Sequence, residues 1–244
     1  MIFMNAIQLD NISFSYGSER PFLDHFHVAI PKGEIVTLAG LNGAGKTTLI
    51  RIAATLLAPQ QGKRHYFENP ALTMKQIRRR IGYAAQELAL YQEYTVVENL
   101  RLFAGLYGLN NRQSQMRIDE LASLLQLENH LNVTIKNCSG GTRRKTHLAV
   151  SLLHEPELLI LDEPTAGIDI KTAEVILKTL RMLARMDRAV LCAAHSLDEI
   201  LTLSGRVLVM KNGRIVRELR LPDDSEPFSE IQRQEMKRSM ILAL

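Results

Sequence analysis

Apolar and polar positions alternate where the chain opens. Over residues 6–16, Ile7, Leu9, Ile12, Phe14 and Tyr16 follow a two-residue period that breaks near Asn11, which predicts a strand with an irregularity there. Phe26, Val28 and Ile30 repeat the period and stop at the turn signal Pro31-Lys32-Gly33. Together they predict an antiparallel beginning. The pattern then changes. Residues 35–39 form a short apolar run that enters a Gly-rich loop, and 46–57 read as helical. Residues 81–85 are a further short strand. Helical spacing returns in 95–109 (Val97, Leu100, Phe103, Ala104) and 113–127 (Met116, Leu121, Leu124, Leu125), predicting a helical lobe inserted at about 87–155. Residues 158–161 and 189–194 read as buried parallel strands around a helix at 171–186. Residues 207–210 and 215–219 flank Asn212-Gly213, a favoured two-residue hairpin turn. Residues 222–227 (PDDSEP) read as a linker. Phe228, Ile231, Met236, Met240 and Leu244 make 228–244 a candidate amphipathic helix. The expected class is α/β, with a domain over 1–220 whose core comprises 1–86 and 156–220, followed by linker and helix at 221–244.

Composition narrows the options. A chain of 244 residues buries roughly 70–75% of its unfolded surface, so it needs no covalent staple. Cys138 and Cys192 stand far apart with no His or Cys at metal-ligand spacing, which argues against a disulfide framework or zinc site and for a reducing compartment. The net charge of +4 does not by itself imply nucleic-acid binding. The opening MIFMNAIQLD has no basic leader, and apolar runs such as 52–58 fall far short of the roughly 20 residues of a membrane span. The chain is expected to be soluble and to serve any membrane from outside the bilayer.

The densest chemical signal is Gly40-Leu41-Asn42-Gly43-Ala44-Gly45-Lys46-Thr47-Thr48, between a predicted strand and a predicted helix. This is the phosphate-binding P-loop pattern in its required context. Glycines let successive backbone N–H groups converge on phosphate oxygens, and the following helix presents its positive dipole end. Lys46 supplies a charge to the β- and γ-phosphates, and the Thr47 hydroxyl is a ligand for Mg²⁺. Such a loop needs a carboxylate at the end of a neighbouring buried strand, and Leu158-Leu159-Ile160-Leu161-Asp162-Glu163 offers two. Alone, this run is a strand ending in solvated acids. Beside a P-loop, Asp162 is the metal-holding group and Glu163 the residue that polarises the attacking water. Ser139-Gly140-Gly141, just ahead of a predicted helix at 142–153, is a second anion-binding helix start, 23 residues before Asp162. The fold expected is therefore a P-loop NTPase core with an antiparallel β portion and an inserted helical subdomain.

Over about residues 5–220 this set of motifs resembles the ABC ATPase family. Ser139-Gly140-Gly141 matches the family's signature motif. Gln86, in Tyr83-Ala84-Ala85-Gln86, falls where the Q-loop glutamine meets Mg²⁺ and the attacking water. Ala166-Gly167-Ile168-Asp169 looks like the D-loop, and His195 is similar to the switch histidine that touches the γ-phosphate. Tyr16 matches the aromatic that stacks on adenine, with Phe14 as its competitor. The resemblance implies catalytic roles for Glu163, His195 and Gln86. It implies nucleotide contacts from Tyr16, Asn42, Gly43, Ala44, Gly45, Lys46, Thr47, Thr48, Ser139, Gly140 and Gly141, and Mg²⁺ held by Thr47, Gln86 and Asp162.

The resemblance further implies a cytoplasmic ATPase subunit at the membrane's inner face, paired as a homodimer or heterodimer. The Ser139 loop of one subunit then faces the P-loop of the other, and a separate transmembrane permease carries the substrate. Thr142 stands where the family most often has Gln, and Cys138 where it usually has Leu. The basic run after Ser-Gly-Gly and the stretch 86–100 resemble exporters of drugs, lipids, polysaccharides or ions. Lys75 with Arg78–Arg80, and Arg143–Lys145, read as solvated helix faces or membrane-proximal decoration, because a nucleic-acid groove wants interleaved aromatics. The alternative, an ABC ATPase acting on ribosomes or DNA, usually carries two motif sets or a long coiled coil, and this chain has one set and no heptad run. A regulatory nucleotide-binding module without turnover is disfavoured by Glu163.

Overall fold

The computed structural model describes residues 4–17, 22–194, 196–203 and 205–221, together with Gln234. In chain order the elements are β1 (Asn5–Phe14), β2 (Leu23–Pro31), β3 (Ile35–Ala39), α1 (Lys46–Ala53), β4 (Gln61–Tyr66), α2 (Met74–Arg78) and β5 (Ile81–Ala84). Then come α3 (Val96–Leu106), α4 (Asn111–Leu124), α5 (Gly140–Leu152), β6 (Leu158–Asp162), α6 (Ile170–Arg185), β7 (Ala189–Ala193), α7 (Leu197–Leu203), β8 (Arg206–Lys211) and β9 (Arg214–Arg220).

Among the described residues the strands form two sheets. The first is antiparallel, in the order β2-β1-β4. The second runs β5-β6-β7-β3-β8-β9 and is parallel except for β9, which pairs antiparallel with β8. Every residue of β3, β6 and β7 is buried. Strands covered on both faces have no polar side to show, which is why they read as unbroken apolar runs. One core packs Leu49, Ile50 and Ile52 of α1 against Leu9, Ile12 and Leu38. A second joins the helices inserted between β5 and β6 to the main sheet, with Leu100, Ile118 and Leu148 beside Leu161 and Leu180. The insert is thus welded to the sheet and to α6. Its first two helices start with reciprocal caps, Thr95 with Glu98 and Asn110 with Gln113, which satisfy orphan N–H groups at each start.

The irregularity expected near Asn11 is a register shift between Leu9 and Ile12, where Asn11 has φ of 55°. The turn between β8 and β9 has positive φ at both Asn212 and Gly213, as a two-residue hairpin of this type requires. The helix expected over 46–57 ends instead at Ala53. Thr55 turns to φ of 64°, and the N–H groups of Leu56 and Leu57 both donate to the Arg51 carbonyl. Among the strands and α-helices of the described residues, three lie outside the expected set. β4 is mostly exposed and polar and pairs with β1 at the sheet edge, so it has no alternation to read. The others, α2 and α7, are five and seven residues long. The expected helix at 228–244 lies outside the described residues, except for Gln234, which is helical.

Candidate functional site

The P-loop leaves the end of β3 in the middle of the main sheet and turns into α1. Gly45 caps that helix with φ of 106°, a left-handed conformation that costs glycine little, and a Cβ there would approach Leu23 Cδ2 to 2.9 Å. Lys46 is buried, and its ammonium donates to the carbonyls of Gly40 at 2.7 Å and Leu41 at 3.2 Å. Burial pushes its pKa down, while the nearby Glu163 and Asp162 carboxylates push it back up. Lys46 therefore folds back onto its own loop, with two of its carbonyls as partners.

The carboxylate strand is not the immediate neighbour of β3, because β7 lies between β3 and β6. Helix α1 closes that gap by packing across both β6 and β7. The Thr47 hydroxyl donates to Asp162 Oδ1 at 3.3 Å. Asp162 is only 2% exposed, and burial raises its pKa, with the Thr47 hydrogen bond working against burial and Glu163 adding to it. Glu163 is also buried and sits at φ of 55°, a costly conformation for a residue with a Cβ. Gln86 Nε2 donates to Glu163 Oε2 at 2.9 Å. Residues 42–48 bound a cleft of about 360 Å³ with Phe22, Gln86 and Glu163. Tyr16 lies beside this loop, exposed, with its hydroxyl 3.1 Å from Thr48 Oγ1 and its ring edge-on to Phe14 and Phe22. Its competitor Phe14 is buried in the first core.

Ser139 caps α5, accepting from the Thr142 N–H at 3.0 Å, and its Oγ lies 2.9 Å from Thr142 Oγ1. The replacement of Gln by Thr thus has a local consequence, since Thr142 is buried and its hydroxyl is spent on the cap. Ser139 and Gly140 are exposed and do not line the cleft of their own chain. Gly141 is pressed against α6, where a Cβ would meet Thr172 Oγ1 at 2.8 Å. In the D-loop segment Asp169 caps α6 through the Thr172 N–H at 3.0 Å. His195 lies outside the described residues.

The two basic runs differ: Lys75, Arg78 and Arg79 are exposed, as expected of a solvated face, but the second run is not solvated decoration. Arg144 and Lys145 are buried, and Lys145 donates to the Gln126 carbonyl at 2.8 Å. Arg144 donates to the carbonyls of Gln86 at 2.9 Å and Ala166 at 3.2 Å. In the other run, Arg78 donates to Thr55 Oγ1, and Arg80 pairs with Glu157. Their partners are mostly main-chain oxygens or distant side chains, which helical spacing does not reveal. The buried Thr165 hydroxyl donates to Glu199 Oε1 at 2.5 Å, tying the segment after Glu163 to α7. Neither residue carries a sequence signal of its own.

A lysine-bearing loop at a strand end, a hydroxyl–carboxylate pair beside it and a glutamine on the adjacent acid define a P-loop nucleotide hydrolase. The family model described as ABC transporter matches residues 23–166. A protein named ABC transporter ATP-binding protein NatA from Bacillus subtilis (strain 168) is 34% identical over 193 residues, covering 78% of each chain. The Nod factor export ATP-binding protein I of Sinorhizobium fredii is 36% identical over 214 residues, 87% of this chain and 62% of that protein. Among solved structures, a dimeric post-hydrolysis state of the ATP-binding cassette MJ0796 with ADP and Pi superposes with a TM-score of 0.78. It shares 26% identity and covers 88% of this chain and 99% of its own. The chain belongs to the ABC transporter family, as an ATP-binding, ATP-hydrolysing subunit. None of these relatives supports the ribosome- or DNA-directed alternative. No helix among the described residues is long and apolar enough to cross a membrane.

Proposed function

We propose that this chain is the motor of an exporter, working at the cytoplasmic face of a membrane on a separate transmembrane permease. ATP lies along residues 42–48 with adenine on Tyr16, and Lys46 exchanges its two loop carbonyls for the β- and γ-phosphates. Glu163, held by Gln86, takes the proton of the attacking water, a role worth roughly 10²–10⁴ in rate. His195 contacts the γ-phosphate. The oxygen donors of Thr47, Asp162 and Gln86 suit Mg²⁺, a hard cation that usually keeps several waters and takes its remaining ligands from phosphate. When bound, that ion neutralises charge on the β- and γ-phosphates. The observation that carries the reading is the contact chain Thr47–Asp162 and Gln86–Glu163 at the mouth of one loop. The relatives named for export favour export as the direction.

Ser139, Gly140 and Gly141 complete the site of a second copy, a reading supported by Ser139 being exposed and not lining its own cleft. Mixing two inactive variants tests this. Ser139→Arg and Lys46→Ala chains are each expected to be nearly inactive alone. Their mixture restores one intact site, with Lys46 of the first facing Ser139 of the second. Recovery of ATP hydrolysis supports a site shared across a dimer. Absence of recovery in a mixture that still pairs, in single-turnover as well as steady-state assays, defeats it.

A further inference from the structure

One cation near the hydrolytic centre has no place in the reading above. Arg144 lies in α5, five residues after Ser139, and is 9% exposed. Its guanidinium donates to two main-chain carbonyls, with the Glu163 and Asp162 charges nearby. Nη1 donates to the main-chain carbonyl of Gln86 at 2.9 Å, and Nη2 donates to that of Ala166 at 3.2 Å. Each carbonyl belongs to a loop that carries a residue of the centre. The Gln86 side chain reaches Glu163 at 2.9 Å. Ala166 closes the turn that follows Glu163, donating its N–H to the Glu163 carbonyl at 3.2 Å.

A planar guanidinium presents its donors in a fixed fork, so two acceptors on one fork are fixed relative to each other. The fork itself stands on a buried helix. Its first turn is pinned to α6, because Gly141 packs on Thr172 with no room for a Cβ. Loops lacking such a brace open easily, since their backbone groups are otherwise satisfied by water. Burial of a cation also has to be compensated, and two carbonyls with the adjoining Asp162 and Glu163 charges supply that compensation.

We propose that Arg144 is a positioning residue for hydrolysis: it holds the loops of Gln86 and Ala166 in the register where Gln86 meets Glu163, and ties that register to the helix that carries Ser139. It touches neither nucleotide nor water. A shift of α5 that moves Ser139 therefore also moves the two loops that set Glu163. The proposal rests on the assignment of Glu163 and Gln86 to the hydrolytic centre.

The test uses the purified chain with Arg144→Met, Arg144→Lys, Gln86→Ala and Glu163→Gln, and the double variant Arg144→Met/Gln86→Ala. Three readings are taken: steady-state phosphate release, affinity for a fluorescent ATP analogue, and thermal melting. A misplacement on the order of 1 Å costs up to about 10²-fold in rate. Arg144→Met is accordingly expected to lower kcat about tenfold or more, with affinity changed by less than about twofold, because the phosphate loop is untouched. In the Gln86→Ala background the same change is expected to cost less than about threefold, since the side chain being positioned is gone. Arg144→Lys keeps the charge but offers no fork, so it recovers only part of kcat. It also carries the test if the methionine variant melts early.

Wild-type kcat in Arg144→Met, alongside an inactive Glu163→Gln, overturns the proposal and leaves the site intact. Full recovery by lysine overturns the two-carbonyl brace. Equal losses of kcat and affinity, multiplying independently with Gln86→Ala, reduce Arg144 to a general structural role. If Glu163→Gln keeps its turnover, the site assignment fails first and the proposal falls with it.

Discussion

Glu163→Gln isolates one function of a buried carboxylate. The amide matches the shape of the acid and still offers an oxygen to Gln86 Nε2, now 2.9 Å away, so the loop has no reason to move. Two things change. The proposed proton acceptor is lost, and so is one negative charge from a cluster that holds Asp162, Glu163 and Lys46 together. Glu163 raises the pKa of Asp162 by repulsion and supports the charge on Lys46. Without it, Asp162 ionises more readily, and a triphosphate meets one less negative charge. Nucleotide binding is therefore expected to hold or tighten. Turnover is expected to fall by roughly 10²–10⁴, the contribution of a positioned base, or about 3–5 kcal/mol of transition-state stabilisation. Steady-state phosphate release measures the fall, a fluorescent ATP analogue measures binding, and size-exclusion chromatography with ATP looks for an accumulated dimer. A rate within about threefold of wild type, with binding intact, refutes Glu163 as the base.

Lys46→Ala is expected to weaken ATP itself by about 2–5 kcal/mol, the cost of truncating one partner of a buried charged contact, as read by nucleotide titration. Wild-type affinity there means that the loop is not the phosphate cradle. Glu157 accepts from Arg80 and Lys32, and the Arg80 hydrogen bond above all lowers its pKa from 4.5 to about 2. A depressed carboxylate stabilises the fold above its unfolded pKa, so this contribution is lost as pH falls from about 4.5 to about 2. The full linkage of roughly 3 kcal/mol shrinks to about 1–2 because the side chain is 25% exposed, and Glu157→Gln is expected to flatten acid denaturation over that window. Gly141→Ala is expected to cost about 1–3 kcal/mol in chemical denaturation, since its Cβ meets a Thr172 hydroxyl already donating to Asp169 at 2.7 Å. Thr172→Ala is expected to return part of that loss.

The parts of the fold legible in the sequence are those with a strong local period or a fixed loop chemistry. The buried runs of β3, β6 and β7, the helical spacing of α3, α4 and α6, and the Asn212-Gly213 turn each state their structure within a few residues. The candidate site was legible for the same reason, because phosphate-binding loops need glycine and lysine at set positions on the chain. What escaped depends on partners far away in sequence. β4 is a strand only because β1 offers it an edge, and its residues 61–65 carry no apolar alternation. The position of β7 between β3 and β6 follows from how α6 returns the chain, which no motif encodes. Arg144 looked like surface charge because helical spacing says where a side chain emerges and not what awaits it. Its acceptors lie 58 and 22 residues away.

The same contacts bear on what a phosphate would meet at the two proposed half-sites. Lys46 satisfies its donors on the carbonyls of its own loop, and Ser139 satisfies its oxygen on the N–H of its own helix. Neither group is left buried and unpaired by the fold itself. Phosphate must then replace contacts already made. A ligand shifts an equilibrium only by the difference in its affinity for the two states, so what phosphate can contribute at either proposed half-site is its gain over these internal bonds. For Lys46 that gain is large, because a phosphate brings full negative charge where carbonyls bring dipoles. For Ser139 it is smaller, since its Oγ can keep accepting from the Thr142 N–H while its O–H, 2.9 Å from Thr142 Oγ1, turns from a neutral oxygen to an anion. The lysine half of the site is accordingly expected to hold ATP in a single chain, and the serine half to engage only once that ATP is in place.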